Sequence, residues 1–280
     1  MQVSIGDIRN LEGDVKEKFL SYSSYYVYGG QRSGKSQVAE NLVTLLRLRA
    51  LGGERRDPLQ VPATYLATMF PGKDPENLAR IRRHQENRKE AAYDTVDLFA
   101  PGYLDRKALA KAFPGGEAAS PGLLPSPPVL LLDCLDNLLS NLVWPPVRFL
   151  AEAEGEEGPQ SSQGDSARLS DQQNPASKTQ EEGPGLAGPE GLDPLADPYA
   201  SALATIKDLL GSWHRHHPLV VVGSAAGASC DSFEEFGRSW LRAMGDLQAY
   251  MQGEEYLFLY VKAGQILFHL PDKKGTFPCV

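Results

Sequence analysis

The sequence predicts an α/β protein with a mostly parallel sheet and helices on both faces. Three observations carry this. Residues 25–28, 63–67, 129–132 and 219–222 are short apolar or aromatic runs that read as strands. The last two are apolar without alternation, as strands buried on both faces are. Helical segments separate the runs, and strands that alternate with helices build parallel sheets. The first run leads into Gly29-Gly30-Gln31-Arg32-Ser33-Gly34-Lys35-Ser36, which fits G-x-x-x-x-G-K-[ST] at every fixed position.

Each element follows in order. Residues 38–49 contain no Gly or Pro and place apolar residues at 38, 42, 45, 46 and 48, which gives a helix. Residues 51–62 carry Gly, Pro and mixed charge and read as a loop. Residues 68–72 form the loop that leaves the second strand. Pro75 suits a helix start with Asp74 as N-cap, and that helix runs to about residue 91. Residues 93–99 give a short strand and 107–113 a helical turn or two. Residues 114–128 are a loop rich in Gly, Pro, Ala and Ser. The run 129–132 ends in Asp133, and a helix over 134–143 stops before Pro145-Pro146. Residues 199–213 and 233–251 read as helices around the strand 219–222, which ends at Gly223. Residues 256–261 form a strand that Ala263-Gly264 turns into 265–270, a C-terminal hairpin.

Composition bounds the rest. At 280 residues with 41% hydrophobic content, one sizeable core is expected. The domain reading is a polar N-terminal extension over 1–24, one α/β domain over 25–150 and 195–280, and a disordered acidic insertion over 151–194. That insertion is Glu, Gln, Ser, Gly and Pro with almost no large apolar residues, too few to offset the entropy of ordering. Residues 151–190 hold nine acidic and two basic residues, a net of −7 out of the chain's −8. The body is thus close to neutral, which argues against a nucleic-acid partner. Cys134, Cys230 and Cys279 lack paired or metal-ligand spacing, so a reducing, cytoplasmic setting is expected. No secretory n-region and no membrane span are expected.

Several residues carry chemistry. Glycines let a backbone wrap a phosphate at a helix N-terminus, where N–H groups and the dipole favour negative charge. Lys35 would reach the β- and γ-phosphates and Ser36 would ligate Mg²⁺, which points to a bound nucleoside triphosphate. Asp133, after four apolar residues, reads as a metal-linked carboxylate, as the N-cap of the next helix, or as both, since the two roles are compatible. His84 lies among Arg80, Arg82, Arg83 and Arg88. A neutral imidazole there can attack a phosphorus atom, but on these residues alone a solvated basic helix face with one histidine is the favoured reading. His214, His216 and His217 match no helical metal pair and read as a surface helix end.

The motif order resembles the bifunctional adenosylcobinamide kinase / adenosylcobinamide-phosphate guanylyltransferase family. Tyr28 to Ser36 with Ala39-Glu40 resembles G-G-x-R-S-G-K-S-x-x-A-E. Tyr65-Leu66-Ala67-Thr68 resembles Y-I-A-T, and Arg80-Ile81 with His84 and Arg88 resembles R-I-x-x-H-x-x-x-R. Tyr93 to Asp97 resembles W-x-T-x-E, and Asp133-Cys134-Leu135 through Asn141-Leu142 resembles D-C-L-T-x-x-x-x-N-L. The likeness covers about residues 25–143. It implies a RecA-like P-loop NTPase fold, trimers, and a His84 that carries GMP covalently. It also implies that Ala67, Thr68, Met69, Gln85, Glu86, Asn87, Arg88, Asp97 and Asp133 lie along the guanine nucleotide. The implied activity is phosphorylation of adenosylcobinamide and transfer of GMP to its phosphate, in cobalamin biosynthesis.

Two stretches depart from the family pattern. Gly223-Ser224-Ala225-Ala226-Gly227 stands where the family has N-E-V-G, and Trp240 to Ala249 has arginine at the acid of F-R-D-x-x-G-x-x-N-Q. Two alternatives share the same loop. One is a P-loop kinase or guanylyltransferase with a single activity, and the other is a GTP-binding homologue without catalysis.

Overall fold

The computed structural model describes residues 2–52, 57–71, 75–98, 127–144, 198–224 and 235–270. Their strands are β1 (Gln2–Ile5), β2 (Ser24–Gly29), β3 (Ala63–Ala67), β4 (Tyr93–Asp97), β5 (Val129–Asp133), β6 (Leu219–Ser224), β7 (Leu257–Lys262) and β8 (Gln265–His269). Their α-helices are α1 (Gly13–Ser21), α2 (Lys35–Ala50), α3 (Pro75–Arg88), α4 (Leu135–Val143), α5 (Pro198–His216) and α6 (Glu235–Gly253).

These strands form one sheet in the order β1-β8-β7-β2-β6-β5-β3-β4. From β4 to β7 every neighbouring pair is parallel. β8 returns antiparallel to β7 as the expected hairpin, and β1 pairs antiparallel to β8 at the edge. This architecture is consistent with a P-loop-type fold.

Strand side chains alternate between two faces. Tyr25, Val27, Tyr65, Val129, Leu131, Val220 and Val222 point to the face that α2 covers. Tyr26, Leu66, Leu130, Leu132, Leu219 and Val221 point to the face under α4, α5 and α6. Burial on both sides is why 129–132 and 219–222 carry no polar alternation.

The first 24 residues, expected to stand outside the domain, contribute to its core. Ile8, Leu11 and Phe19 are buried on the α2 side. The Phe19 ring lies 5.3 Å from that of Tyr25 and 5.1 Å from that of Phe268. The Tyr25 hydroxyl donates to Phe19 O at 2.9 Å. β1 spans four residues and α1 buries only Phe19, so neither leaves a periodic signal among its polar neighbours.

Asp74, the helical turn at 107–113, the loop up to residue 126 and the acidic insertion at 151–194 lie outside the described residues. Among those described, no helix is long and apolar enough to cross a membrane.

Candidate active site

β2 ends at Gly29 and α2 begins at Lys35, so the glycine-rich stretch is the turn between them. A Cβ on Gly29 would stand 2.2 Å from Val261 O, and only glycine lets β2 end this close to β7. Gly34 is the N-cap of α2 with φ +95°, a left-handed conformation that glycine adopts without strain. No side chain caps α2. Its first-turn N–H groups and the positive end of its dipole therefore face the loop. Lys35 Nζ folds back and donates to Gly29 O at 3.1 Å and Gly30 O at 2.6 Å. Ser33 Oγ is buried in the loop without a hydrogen-bond partner among the described residues, while Gln31 and Arg32 are exposed.

β5 carries Asp133 to the same end of the sheet. Asp133 is the register partner of Ala67, which is the partner of Asp97 on β4. On the other side Asp133 pairs with Val222, which pairs with Val27, two residues before Gly29. Asp133 does not cap the helix that follows, because Cys134 holds the N-cap position of α4. Its Oδ2 instead accepts a hydrogen bond from the Tyr65 hydroxyl at 2.6 Å and a longer one from Ser36 Oγ at 3.4 Å. The reading of Asp133 as a helix cap is thus replaced by a carboxylate shared between α2 and β3.

Beside Asp133 lies a cavity of about 320 Å³, roofed by α3 and floored by the ends of β3, β4 and β5. Leu78, Ile81 and His84 sit at helical spacing and face it together, with Arg82 and Gln85 at its lining. Tyr65, Ala67, Thr95, Asp97 and Asp133 supply the floor, Met69 and Pro71 one wall, and Cys134 and Asn137 the other. The His84 helix is anchored from behind. Arg47 of α2 is buried and donates to Ala91 O at 2.7 Å and Ala92 O at 2.9 Å, and it lies over the Tyr93 ring.

Six of the expected site residues therefore meet in one cavity: Ala67, Met69, His84, Gln85, Asp97 and Asp133. The glycine loop joins them through Ser36 and Asp133. Thr68 does not line the cavity. Its hydroxyl receives Cys134 N at 2.7 Å and donates to Cys134 O at 2.9 Å, and its carbonyl accepts Asn141 Nδ2 at 2.8 Å. It joins the two strand ends. Glu86 is exposed outside the cavity lining. The side chains of Asn87 and Arg88 lie outside the described residues.

Sequence reasoning did not single out Tyr65, Thr95 or Asn137 as site residues. The signal for the first two was strand alternation, since Tyr65 shares a face with Ala67 and Thr95 with Asp97. It also missed Asp136, whose Oδ2 accepts Ser224 N at 2.9 Å while Oδ1 is buried without a partner among the described residues. The three histidines at the end of α5 do not all lie on the surface as expected, since His217 is buried. His214 stacks on Tyr256 and meets Ser24, His217 meets Pro128 O, and His216 is exposed.

Ser36 Oγ and Asp133 offer hydroxyl and carboxylate oxygens, the hard donors that Mg²⁺ prefers. No three His, Cys, Asp or Glu side chains cluster as a full metal cage among the described residues. That donor set suits an ion that draws its remaining ligands from phosphates and water.

No curated protein sequence matches the chain. A family model described as cobinamide kinase / cobinamide phosphate guanyltransferase matches residues 25–267, a span that includes both the glycine loop and every residue lining the cavity. The chain belongs to the cobinamide kinase / cobinamide phosphate guanyltransferase family.

Proposed function

We propose that this protein is a Mg²⁺-dependent transferase that runs two linked reactions on a cobinamide substrate in cobalamin biosynthesis. The observation that carries the reading is the juxtaposition of His84, Gln85 and Asp97 with Asp133, itself tied to Ser36 of the glycine loop. Family membership supplies the substrate class.

In the first reaction the hydroxyl oxygen of adenosylcobinamide bonds to the γ-phosphorus of ATP or GTP as the bond to the β–γ bridging oxygen breaks, which releases the nucleoside diphosphate and the hydroxyl proton. The loop N–H groups and Lys35 hold the phosphates, and Lys35 offsets the charge that grows on them. Ser36 and Asp133 would hold Mg²⁺, which when bound would neutralise phosphate charge. In the second reaction a neutral nitrogen of His84 bonds to the α-phosphorus of GTP as the bond to pyrophosphate breaks. The phosphate of the cobinamide then displaces the histidine and takes GMP. The covalent histidine splits one difficult displacement into two easier ones. Arg82 supplies positive charge at the cavity, and Asp97 and Gln85 supply polar contacts to the nucleotide.

Incubation with adenosylcobinamide, ATP, GTP and Mg²⁺, followed by mass spectrometry, tests this. The wild type is expected to yield the phosphate and then the GDP-linked product. His84→Ala is expected to stop at the phosphate. Neither product from the wild type would refute the reading, and a GDP-linked product from His84→Ala would refute the covalent step. A GTP-binding homologue without catalysis would bind nucleotide and give no product.

A further inference from the structure

Tyr65 occupies an unusual place. It is 4% exposed, in the middle of β3. Its hydroxyl makes the shorter of the two hydrogen bonds to Asp133 Oδ2, 2.6 Å against 3.4 Å from Ser36. Tyr65 also lines the cavity that His84 lines. The ring is itself held, edge-on to Tyr93 at 5.9 Å, and Tyr93 lies under the guanidinium of Arg47, a residue of the glycine-loop helix. One side chain thus touches the carboxylate that faces the glycine loop and the wall of the cavity that holds the histidine.

A carboxylate at a strand end can rotate about its last torsion. A short hydrogen bond from a buried phenol fixes one oxygen and leaves the other aimed in a defined direction. The 3.4 Å contact to Ser36 is too long to do this alone. Second-layer hydrogen bonds of this kind orient metal-binding carboxylates in general. We propose that Tyr65 is a positioning residue: its phenol aims Asp133 at the metal of a nucleotide on the glycine loop, and its ring makes that same orientation part of the His84 cavity. The inference rests on the nucleotide and metal reading given above.

Tyr65→Phe is the informative variant. It keeps the ring, the cavity wall and the contact with Tyr93, and deletes only the hydroxyl. The probe is Mn²⁺ in the presence of a non-hydrolysable GTP analogue, with free and bound metal read by electron paramagnetic resonance. Asp133→Asn serves as reference and thermal unfolding checks the fold. Tyr65→Phe is expected to unfold at close to the wild-type temperature and to bind Mn²⁺ about tenfold more weakly, with Asp133→Asn weaker still. Its apparent Mg²⁺ requirement for turnover should rise in parallel. Weak metal binding in Asp133→Asn with wild-type binding in Tyr65→Phe overturns the role of Tyr65 and leaves the metal reading standing. Wild-type metal binding in Asp133→Asn overturns the metal reading, and the role of Tyr65 with it.

Discussion

Ser36 and Asp133 stand 97 positions apart in the chain and meet with 3.4 Å between Oγ and Oδ2. The contact joins the first turn of α2 to the end of β5, with β6 lying between β5 and β2, the strand that leads into α2. It brings the glycine loop to the wall of the His84 cavity. On the proposed function Lys35, one residue before Ser36, holds the phosphates. Lys35→Ala removes the one positive side chain of the glycine loop's G-K-S step. The rate of phosphoryl transfer is expected to fall by about 10²-fold or more. Steady-state kinetics with circular dichroism as a fold control checks this, and a loss under tenfold would contradict it.

Gly29→Ala tests the close approach of β2 to β7. The added methyl would meet the Val261 carbonyl at 2.2 Å, and backbone on both sides resists the shift. Denaturant unfolding is expected to show a loss of about 1–3 kcal/mol, together with weakened nucleotide binding. A neutral result would mean that the loop does not end where the structure places it.

Arg47 carries the cationic link between α2 and the turn after the His84 helix. Arg47→Met keeps much of the apolar stem but leaves Ala91 O and Ala92 O without their donors. Ala92 sits at φ +47°, so the turn it belongs to depends on being held. Urea unfolding is expected to show a loss of roughly 2–4 kcal/mol. GMP transfer should fall more than phosphoryl transfer does, because the helix that loosens is α3. An equal effect on both reactions would count against Arg47 as the anchor of α3.

Asp136 gives a prediction in pH. Burial raises its carboxyl pKa above the usual 3.8, outweighing the hydrogen bonds at Ser224 and the charge of Lys35 that pull it down. A raised folded-state pKa means that the folded chain holds this proton more tightly than the unfolded chain does. The associated stability is complete below the unfolded value and is lost as pH rises through the folded one. Asp136→Asn keeps an acceptor for Ser224 N and does not ionise. The stability of the variant relative to wild type should therefore be smallest near about pH 4 and grow as pH rises towards neutrality. Urea unfolding across that range measures it, and a difference that shrinks with rising pH contradicts the assignment.

The parallel core was legible because burial on both faces leaves unbroken apolar runs, as in 129–132 and 219–222. The glycine loop was legible because its backbone needs fix residue types at fixed positions. What stayed hidden depends on contacts between distant segments. Tyr65 and Asp133 share a face of the sheet, yet nothing local says that the phenol reaches the carboxylate. Thr68 was placed along the nucleotide by its match to the family's Y-I-A-T strand, but its hydroxyl is taken up by the Cys134 backbone. The core role of Ile8, Leu11 and Phe19 was invisible because they are scattered among polar residues without a sustained period, and only tertiary packing gathers them.

The central claim is that His84 carries a nucleotidyl group, and one measurement addresses it directly. The purified protein is incubated with Mg²⁺ and GTP labelled at the α-phosphate, then denatured. A phosphoramidate to histidine predicts label that stays on the chain, is released by acid but not by alkali, and is absent from His84→Ala. Protein that binds GTP yet retains no label, or retains it equally in His84→Ala, would contradict the claim.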